Sequence, residues 1–350
     1  MTRAHILVVA LFVLLAYFLV GSNITSDRTT FADEYVFAKL SQNLPDYSTK
    51  AAWIPEELLM EPPAWWPENV YENAYTTPIW VHPPLANILA RPLLRVLDPV
   101  EDIKTLRFVP LVFYLAVVAL FVDIIRRRWG LIASAISLLP LLLCSHLIYG
   151  GLWFYHDPFM WVLFALSLWL IEVKPNSKWK YLTMTALVLT KLNAVILLAP
   201  LALAYFFKSG YKKAALIMLP ALALAPYLIW TWTATGDILY LWHHWQTMRV
   251  IGSGNLVNEV LPNLNAWFVD WGLYPFLILT VPGFCYACSQ RQYLPFALFY
   301  LITLAFGFGW GFIEYHVFAI MLSGMFMASA TFNLVQHKIQ HKGALECVQR

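Results

Sequence analysis

Apolar residues fill most of the chain in long runs that are separated by short polar stretches. The run 6–20 opens the chain, 109–125 follows a long polar stretch, and the rest is a nearly continuous series of apolar segments. A helix needs roughly 20 apolar residues to cross a bilayer, and helices satisfy their own backbone groups in lipid. The pattern therefore predicts an all-α fold, a polytopic transmembrane helical bundle. We interpret the first run as a retained membrane anchor rather than a cleaved signal peptide.

The composition excludes a soluble domain. Hydrophobic residues make up 60% of the chain and charged residues 12%, about half the charge of a typical globular protein. The net charge of +3 gives no indication of nucleic-acid binding.

Basic clusters predict the orientation, because loops rich in lysine and arginine stay in the cytoplasm. Such clusters lie at 126–128, 174–180, 208–213 and 338–342, and Arg291 is a further basic position. Counting spans between them predicts about ten membrane segments with both termini in the cytoplasm. The whole chain, 1–350, is then one membrane domain with no soluble C-terminal domain.

One apolar stretch, 181–207, does not fit a single crossing, since both of its basic flanks would have to be cytoplasmic. Lys191 and Asn193 interrupt it. We predict a short re-entrant hairpin: a half-span up to Thr190, a polar tip at 191–193 and a return. The alternative is one long tilted helix whose lysine extends to the membrane surface.

The stretch 22–106 is the only long polar segment and is rich in Trp, Tyr and Pro. We expect an ordered external loop with two helices, at 33–44 and 85–97. In the second, leucines form one stripe, and Asn87, Arg91 and Arg95 form another. Such a helix should lie flat in the headgroup region.

The adjacent carboxylates Asp33 and Glu34 follow the first span and are the first candidates for chemistry. A carboxylate at the membrane surface can act as a general base, and a pair can hold a divalent ion such as Mg²⁺ or Mn²⁺. Asp33 also fits a capping box, so a purely structural role stays open.

Four more sites lie at predicted external positions, although each has a structural alternative. His82 precedes two prolines that fix a helix entry, and Asp157 can cap the helix that Pro158 begins. Lys191 forms the predicted hairpin tip, and Glu314 lies at the outer end of the last span. The predicted topology places all of these sites, with Asp33 and Glu34, on one side of the membrane.

These positions, in this order, resemble the polytopic glycosyltransferases of the GT-C class, and most of all the branch of protein O-mannosyltransferases and aminoarabinose transferases. The matching motifs are Asp33-Glu34-Tyr35-Val36-Phe37-Ala38-Lys39-Leu40, His82-Pro83-Pro84-Leu85, Leu106-Arg107-Phe108, Arg126-Arg127-Arg128-Trp129-Gly130, Asp157 and Thr190-Lys191. They cover roughly the first 210 residues. The C-terminal part of the chain departs from the family pattern. Relatives often have an Arg-Tyr pair and a proline in the last conserved span, whereas Glu314-Tyr315-His316 contains no arginine and no proline.

The resemblance implies an inverting glycosyltransferase that passes one sugar from a polyprenyl-phosphate carrier to an acceptor on the non-cytoplasmic side. The acceptor could be a protein, a lipid or a glycan. Asp33 would be the base and Lys191 the cation that meets the phosphate, with Arg91 and Arg249 behind it.

Glu34, His82, Asp157 and Glu314 would bind sugar or acceptor. Asp33, Glu34 and Asp157 could also hold a metal. Two other classes stay open: a transporter or lipid flippase, and a noncatalytic membrane subunit.

Overall fold

The computed structural model describes residues 3–21, 32–46, 82–143, 153–241, 243, 274–290, 293, 294, 296–298, 300, 301 and 313–348. Helices form its regular structure, and no β-strand occurs within these ranges. The α-helices are α1 (Arg3–Gly21), α2 (Ala32–Asn43), α3 (Leu85–Leu94), α4 (Ile103–Leu106), α5 (Phe108–Leu143), α6 (His156–Val173), α7 (Trp179–Thr190), α8 (Leu198–Ser209), α9 (Tyr211–Met218), α10 (Ala225–Thr235), α11 (Tyr274–Ser289) and α12 (Ile313–Val348). The predicted all-α class is confirmed.

Three helical stretches are long and apolar enough to cross a membrane among the residues that the structure describes: Ile103–Leu143, His156–Val173 and Tyr211–Thr235. The first contains α4 and α5, and Gly130, with a φ of 84°, divides α5 into two helices. A positive φ is accessible to glycine without steric cost, so Gly130 ends one helix directly after the arginine cluster 126–128. The count of about ten membrane segments stays a prediction.

The chain divides into two compact units. One contains Met1–Ala16, Val118–Ile148 and Val257–Arg350, and the other contains Tyr17–Val117 and Tyr149–Leu256. The second unit holds α2 and α3, which belong to the stretch 22–106, and the segment around Lys191.

The two helices predicted in the external loop both form and pack on each other. Phe37 and Ala38 of α2 lie in one buried cluster with Ala86, Ala90 and Leu94 of α3. The small side chains of α3 let the two helices approach closely. α3 therefore contributes its alanine face, not its leucine stripe, to the core.

Most of the apolar stripe predicted over 85–97 faces outward, as an interfacial helix requires, although Leu97 packs against the buried cluster. Ile88, Leu89 and Val96 expose 52%, 54% and 78% of their surface. One part of the prediction is wrong: Asn87 does not belong to an exposed polar stripe but is fully buried. The helix also ends at Leu94 instead of continuing to 97.

The predicted interruption at Lys191 is confirmed. α7 ends at Thr190, Lys191 is extended with φ −148° and ψ 133°, and a 3-10 helix, Leu192–Leu197, follows before α8. The Lys180 ammonium, near the start of α7, donates a hydrogen bond of 3.1 Å to the hydroxyl of Tyr205, near the end of α8. A straight helix would place these residues more than about 35 Å apart at 1.5 Å per residue. The segment therefore folds back on itself.

In the other unit, α11 and α12 touch backbone to backbone. A Cβ atom added to Gly283 would lie 1.7 Å from the carbonyl oxygen of Phe326. Another added to Gly324 would lie 2.3 Å from the carbonyl oxygen of Ser137. Without an apolar driving force in lipid, such close packing of small residues is a main source of helix association.

We expect Gly283→Ala to lower the stability of the protein by about 1–3 kcal/mol, the usual effect of overpacking. The methyl group would meet backbone, which cannot rotate away as a side chain can. The measurement is the melting temperature in detergent. Val281→Ala on the same helix is the control, because Val281 is 56% exposed and its substitution should change little. Equal melting of the two variants would contradict the close packing.

Candidate active site

A buried ion pair joins the first turn of α2 to the residue before α5. The Arg107 guanidinium donates from Nε to Glu34 Oε1 at 3.1 Å and from Nη2 to Oε2 at 2.6 Å. The Phe154 backbone N–H donates to Glu34 Oε1 at 2.8 Å. A carboxylate with three such bonds is fixed in place and charge-compensated, so Glu34 is placed to position other groups rather than to move.

A second ion pair joins the start of α6 to the helix break. The Lys191 ammonium donates to Asp157 Oδ1 at 2.7 Å, and its nitrogen lies 5.7 Å from the ring centroid of Tyr155. The Lys191 side chain is 4% exposed, whereas that of Asp157 is 20% exposed. The carboxylate is therefore the more accessible partner, and the cation lies behind it.

Between these two ion pairs lies a buried chain of hydrogen bonds. His156 Nε2 and Asn87 Oδ1 are 3.0 Å apart. The Asn87 amide donates to the Phe37 carbonyl at 3.1 Å and to Ser41 Oγ at 2.9 Å, and Ser41 Oγ donates to the same carbonyl at 2.7 Å. This chain connects α6, α3 and α2 through the apolar core.

His82 packs against the same place. Its ring centroid lies 4.9 Å from that of His156, in an edge-to-face arrangement, and 6.5 Å from that of Tyr155. The two prolines after His82 lead into α3, as the sequence indicates.

The short segment 153–157 is therefore the centre to which the predicted sites converge. Within it, the Phe154 N–H bonds to Glu34, the His156 ring packs on His82, and the Asp157 carboxylate bonds to Lys191. Glu34, His82 and Lys191, three predicted positions that are distant in the sequence, lie around this segment in one compact unit.

The remaining candidates lie elsewhere or outside the described part of the chain. Arg91 is on α3, and its Nε is buried without a hydrogen-bond partner among the described residues. Asp33 is in the first turn of α2, but its side chain is outside the described set, as is that of Glu314 in α12. Arg249 lies outside the described residues altogether.

The described carboxylates do not form a metal centre. Within the described ranges, no group of three or more His, Cys, Asp and Glu side chains is arranged to hold a metal ion. Glu34 and Asp157 already bind the cationic groups of Arg107 and Lys191. This pairing satisfies their charge without a metal, so we derive no catalytic step through one.

Asp98, in the turn after α3, is a carboxylate with a different role. The backbone N–H of Val100, and after it that of Glu101, lowers the pKa of its carboxyl. The bonds are 2.7 Å and 3.1 Å long. Because these donors favour the ionised form, Asp98 is a poor base and serves to hold the turn.

Three residues of the site were not among the sequence candidates: Arg107, Asn87 and His156. Arg107 is the one that its sequence context could have indicated. A lone arginine at the mouth of an apolar span needs a counter-charge, although twelve of the 20 acidic residues lie upstream of it, so the sequence does not single out Glu34. Asn87 and His156 carry no such signal, because an amide and an imidazole are common at surfaces too.

The sequence matches no protein-family profile and no curated protein. Solved structures do resemble the chain. ArnT from Cupriavidus metallidurans, bound to undecaprenyl phosphate, has a TM-score of 0.61 at 17% identity, over 93% of this chain and 59% of that protein. AglB, an oligosaccharyltransferase from Archaeoglobus fulgidus in complex with an inhibitory peptide and a dolichol-phosphate, has a TM-score of 0.61 at 12% identity, over 99% of this chain and 52% of that protein.

The chain thus spans between half and three fifths of the length of these two proteins. At such low identity the likeness carries information about the fold and not about the substrate. Both neighbours are glycosyltransferases of the GT-C class, the class that the order of the sequence motifs resembles. We conclude that this chain has the GT-C membrane fold.

Proposed function

We propose that the protein is an inverting glycosyltransferase that transfers one sugar from a polyprenyl-phosphate carrier to an acceptor on the non-cytoplasmic side of the membrane. The observation that carries the proposal is the convergence of Glu34, His82 and Lys191 on the short segment that contains Asp157. The neighbours support the carrier class, since one is bound to undecaprenyl phosphate and another to a dolichol-phosphate.

The proposed reaction is a single displacement. Asp33 takes the proton of the acceptor hydroxyl, and that oxygen attacks the anomeric carbon. The bond from this carbon to the phosphate oxygen breaks, and the electron pair leaves with the polyprenyl phosphate. Direct attack inverts the anomeric configuration and needs no enzyme nucleophile.

In this scheme Lys191 stabilises the charge that develops on the leaving phosphate. The Asp157 carboxylate holds the ammonium in place before the donor arrives, and the helix break at Lys191 brings it to the segment 153–157. Since Asp157 is the more exposed partner, an arriving phosphate must share the ammonium with it or replace it. Arg91 and Arg249 are the further candidate cations.

Glu34 fixes the first turn of α2, which carries Asp33, through Arg107 and Phe154. His82 and Asp157 border the same place and would contact sugar or acceptor, and Glu314 is a further candidate contact. In the alternative role of Asp33, Glu34 and Asp157 as ligands of Mg²⁺ or Mn²⁺, EDTA should inhibit turnover.

Replacing Lys191 by Met tests the proposed phosphate contact, because Met keeps the apolar stem and removes the charge. A charge-assisted hydrogen bond contributes about 1.5–3 kcal/mol. We therefore expect Lys191→Met to weaken binding of a short-chain polyprenyl-phosphate sugar by about 10–200-fold, measured on the purified protein beside its turnover. Arg should restore binding only in part, since its planar fork needs more room.

The control for Lys191→Met is Lys180→Met in the same segment. Lys180 is buried too, but its partners are the Pro175 carbonyl and Tyr205, at the opposite end of the hairpin. Unchanged donor binding in Lys191→Met, or an equal loss in both variants, would remove Lys191 from the phosphate site. Transport of a solute without any glycosyl transfer by the wild type would instead favour the transporter.

The proposed sidedness predicts which positions can be labelled in intact cells. Single cysteines at Ser48, Thr235 and Gly309 should react with a membrane-impermeant thiol reagent, in a background that lacks the native cysteines. Those at Ser177 and Gly210 should react only after the cells are opened. Labelling at Gly210 from outside would mean that 181–207 crosses the membrane, against the fold-back of α7 and α8.

A further inference from the structure

The hydrogen bonds of Asn87 determine the tautomer of His156. Both hydrogens of the amide are used, since Nδ2 donates to the Phe37 carbonyl and to Ser41 Oγ. Oδ1 is left as an acceptor, so the hydrogen between it and His156 must be on Nε2. The other nitrogen, Nδ1, is buried and has no hydrogen-bond partner within the described ranges. A buried lone pair on Nδ1 costs less free energy than a buried N–H without an acceptor would. The ring that carries its hydrogen on Nε2 alone, and is therefore neutral, fits these surroundings.

His156 also lies between the two ion pairs. Two residues before it, the Phe154 N–H bonds to Glu34 and thereby to the Arg107 pair. One residue after it, Asp157 bonds to Lys191. Along the chain, the bond from His156 to Asn87 therefore lies between the bond of Phe154 to Glu34 and that of Asp157 to Lys191.

The first turn of α6 carries two of these bonds, through His156 and Asp157. The His156 ring is fully buried and lies 4.6 Å, centroid to centroid, from the ring of Phe37. Packing alone would tolerate a leucine in such surroundings. The hydrogen bond to Asn87 also fixes how the first turn of α6 is rotated about the helix axis. Asp157 is in that turn, so its direction is fixed as well.

We propose that His156, through Asn87, is a positioning residue that keeps the Asp157–Lys191 pair in register with the first turn of α2. This inference rests on the proposed function, in which that turn carries the base and Lys191 meets the phosphate. The two halves of the reaction then have to be aligned across α2, α3 and α6. The buried chain from His156 through Asn87 to Phe37 and Ser41 is a direct polar connection between those three helices.

The test compares His156→Leu with His156→Gln in the full-length protein. Leu removes the donor, and a misplacement of about 1 Å can lower a rate by about 100-fold. We therefore expect turnover with a short-chain polyprenyl-phosphate sugar to fall about 100-fold, while KM for that donor changes by less than about threefold. Gln keeps an N–H at similar reach and should stay within about fivefold of the wild type.

A double-mutant cycle with Asn87→Leu separates positioning from general loss of packing. If the two side chains act through one bond, the variant with both substitutions should turn over no more slowly than either single variant. Leu168→Ala, in a fully buried position further along α6, is the packing control. It should lower the melting temperature at least as much as His156→Leu but leave turnover within about threefold, since it lies away from all three bonds.

Three results would overturn the inference while the proposed function stands. These are equal turnover of His156→Leu and Leu168→Ala, independent effects of His156→Leu and Asn87→Leu, or no recovery with Gln. If the wild type transfers no sugar from any polyprenyl phosphate, the proposed function fails first and the positioning role fails with it. Undecaprenyl phosphate binding by the wild type distinguishes that case from an inactive preparation.

Discussion

Asp33→Asn should abolish sugar transfer while leaving the protein folded. The amide has the same shape as the carboxylate but cannot accept the proton of an acceptor hydroxyl. Loss of a general base lowers rates by about 10²–10⁴-fold, so we expect turnover to fall by that factor. The measurement is release of polyprenyl phosphate from a short-chain polyprenyl-phosphate sugar by the purified variant.

Glu101→Gln is the matched control for Asp33→Asn, because it neutralises an exposed carboxylate of the same unit. It should leave turnover and melting temperature near those of the wild type. Turnover of Asp33→Asn within a few-fold of the wild type would exclude Asp33 as the base. If EDTA inhibits the wild type and Mn²⁺ or Mg²⁺ restores it, the pair of Asp33 and Glu34 is a metal-ligand set rather than a base and its neighbour.

Arg107→Met should produce the largest loss of stability among single substitutions in this region. It would leave the fully buried Glu34 carboxylate without its bidentate partner. Breaking a buried ion pair from one side costs about 3–5 kcal/mol, because an uncompensated charge stays behind. We expect a strongly lowered melting temperature in detergent, or loss of the folded protein during purification.

The variant that combines Arg107→Met with Glu34→Gln should recover part of that loss. No charge is then left unpaired, and the side-chain amide oxygen that replaces Glu34 Oε1 can still accept the Phe154 N–H. A double variant that is less stable than Arg107→Met alone would contradict this account. It would mean that packing, and not charge compensation, dominates at this position.

Local chemistry in the sequence was enough to predict the helix break at Lys191 and the helices α2 and α3. A lysine within an apolar run, and leucines at helical spacing, are signals that need no knowledge of distant residues. The environment of Asn87 was predicted wrongly, because spacing within one helix carries no information about partners on other helices. Spacing along one helix places it beside Arg91, but its partners come from α2 and α6.

The partners of Glu34 are a second feature that the local sequence pattern could not predict. Next to Asp33 it looks like half of a carboxylate pair. In the structure its oxygens bind Arg107, 73 residues away, and the Phe154 N–H, 120 residues away. Such partners are set by the tertiary fold, and the sequence offers many lysines and arginines at comparable separations.

These separations also order the assembly of the protein during its synthesis. A carboxylate does not enter an apolar interior alone, because desolvation without a partner is too unfavourable. α2 therefore cannot settle until the ribosome has made Arg107, and Glu34 gains its third bond only when Phe154 follows. Between Arg107 and Phe154 the chain must first complete both helices of α5. The helix α2 is thus translated early but completed late, and until then the Glu34 carboxylate must remain in water.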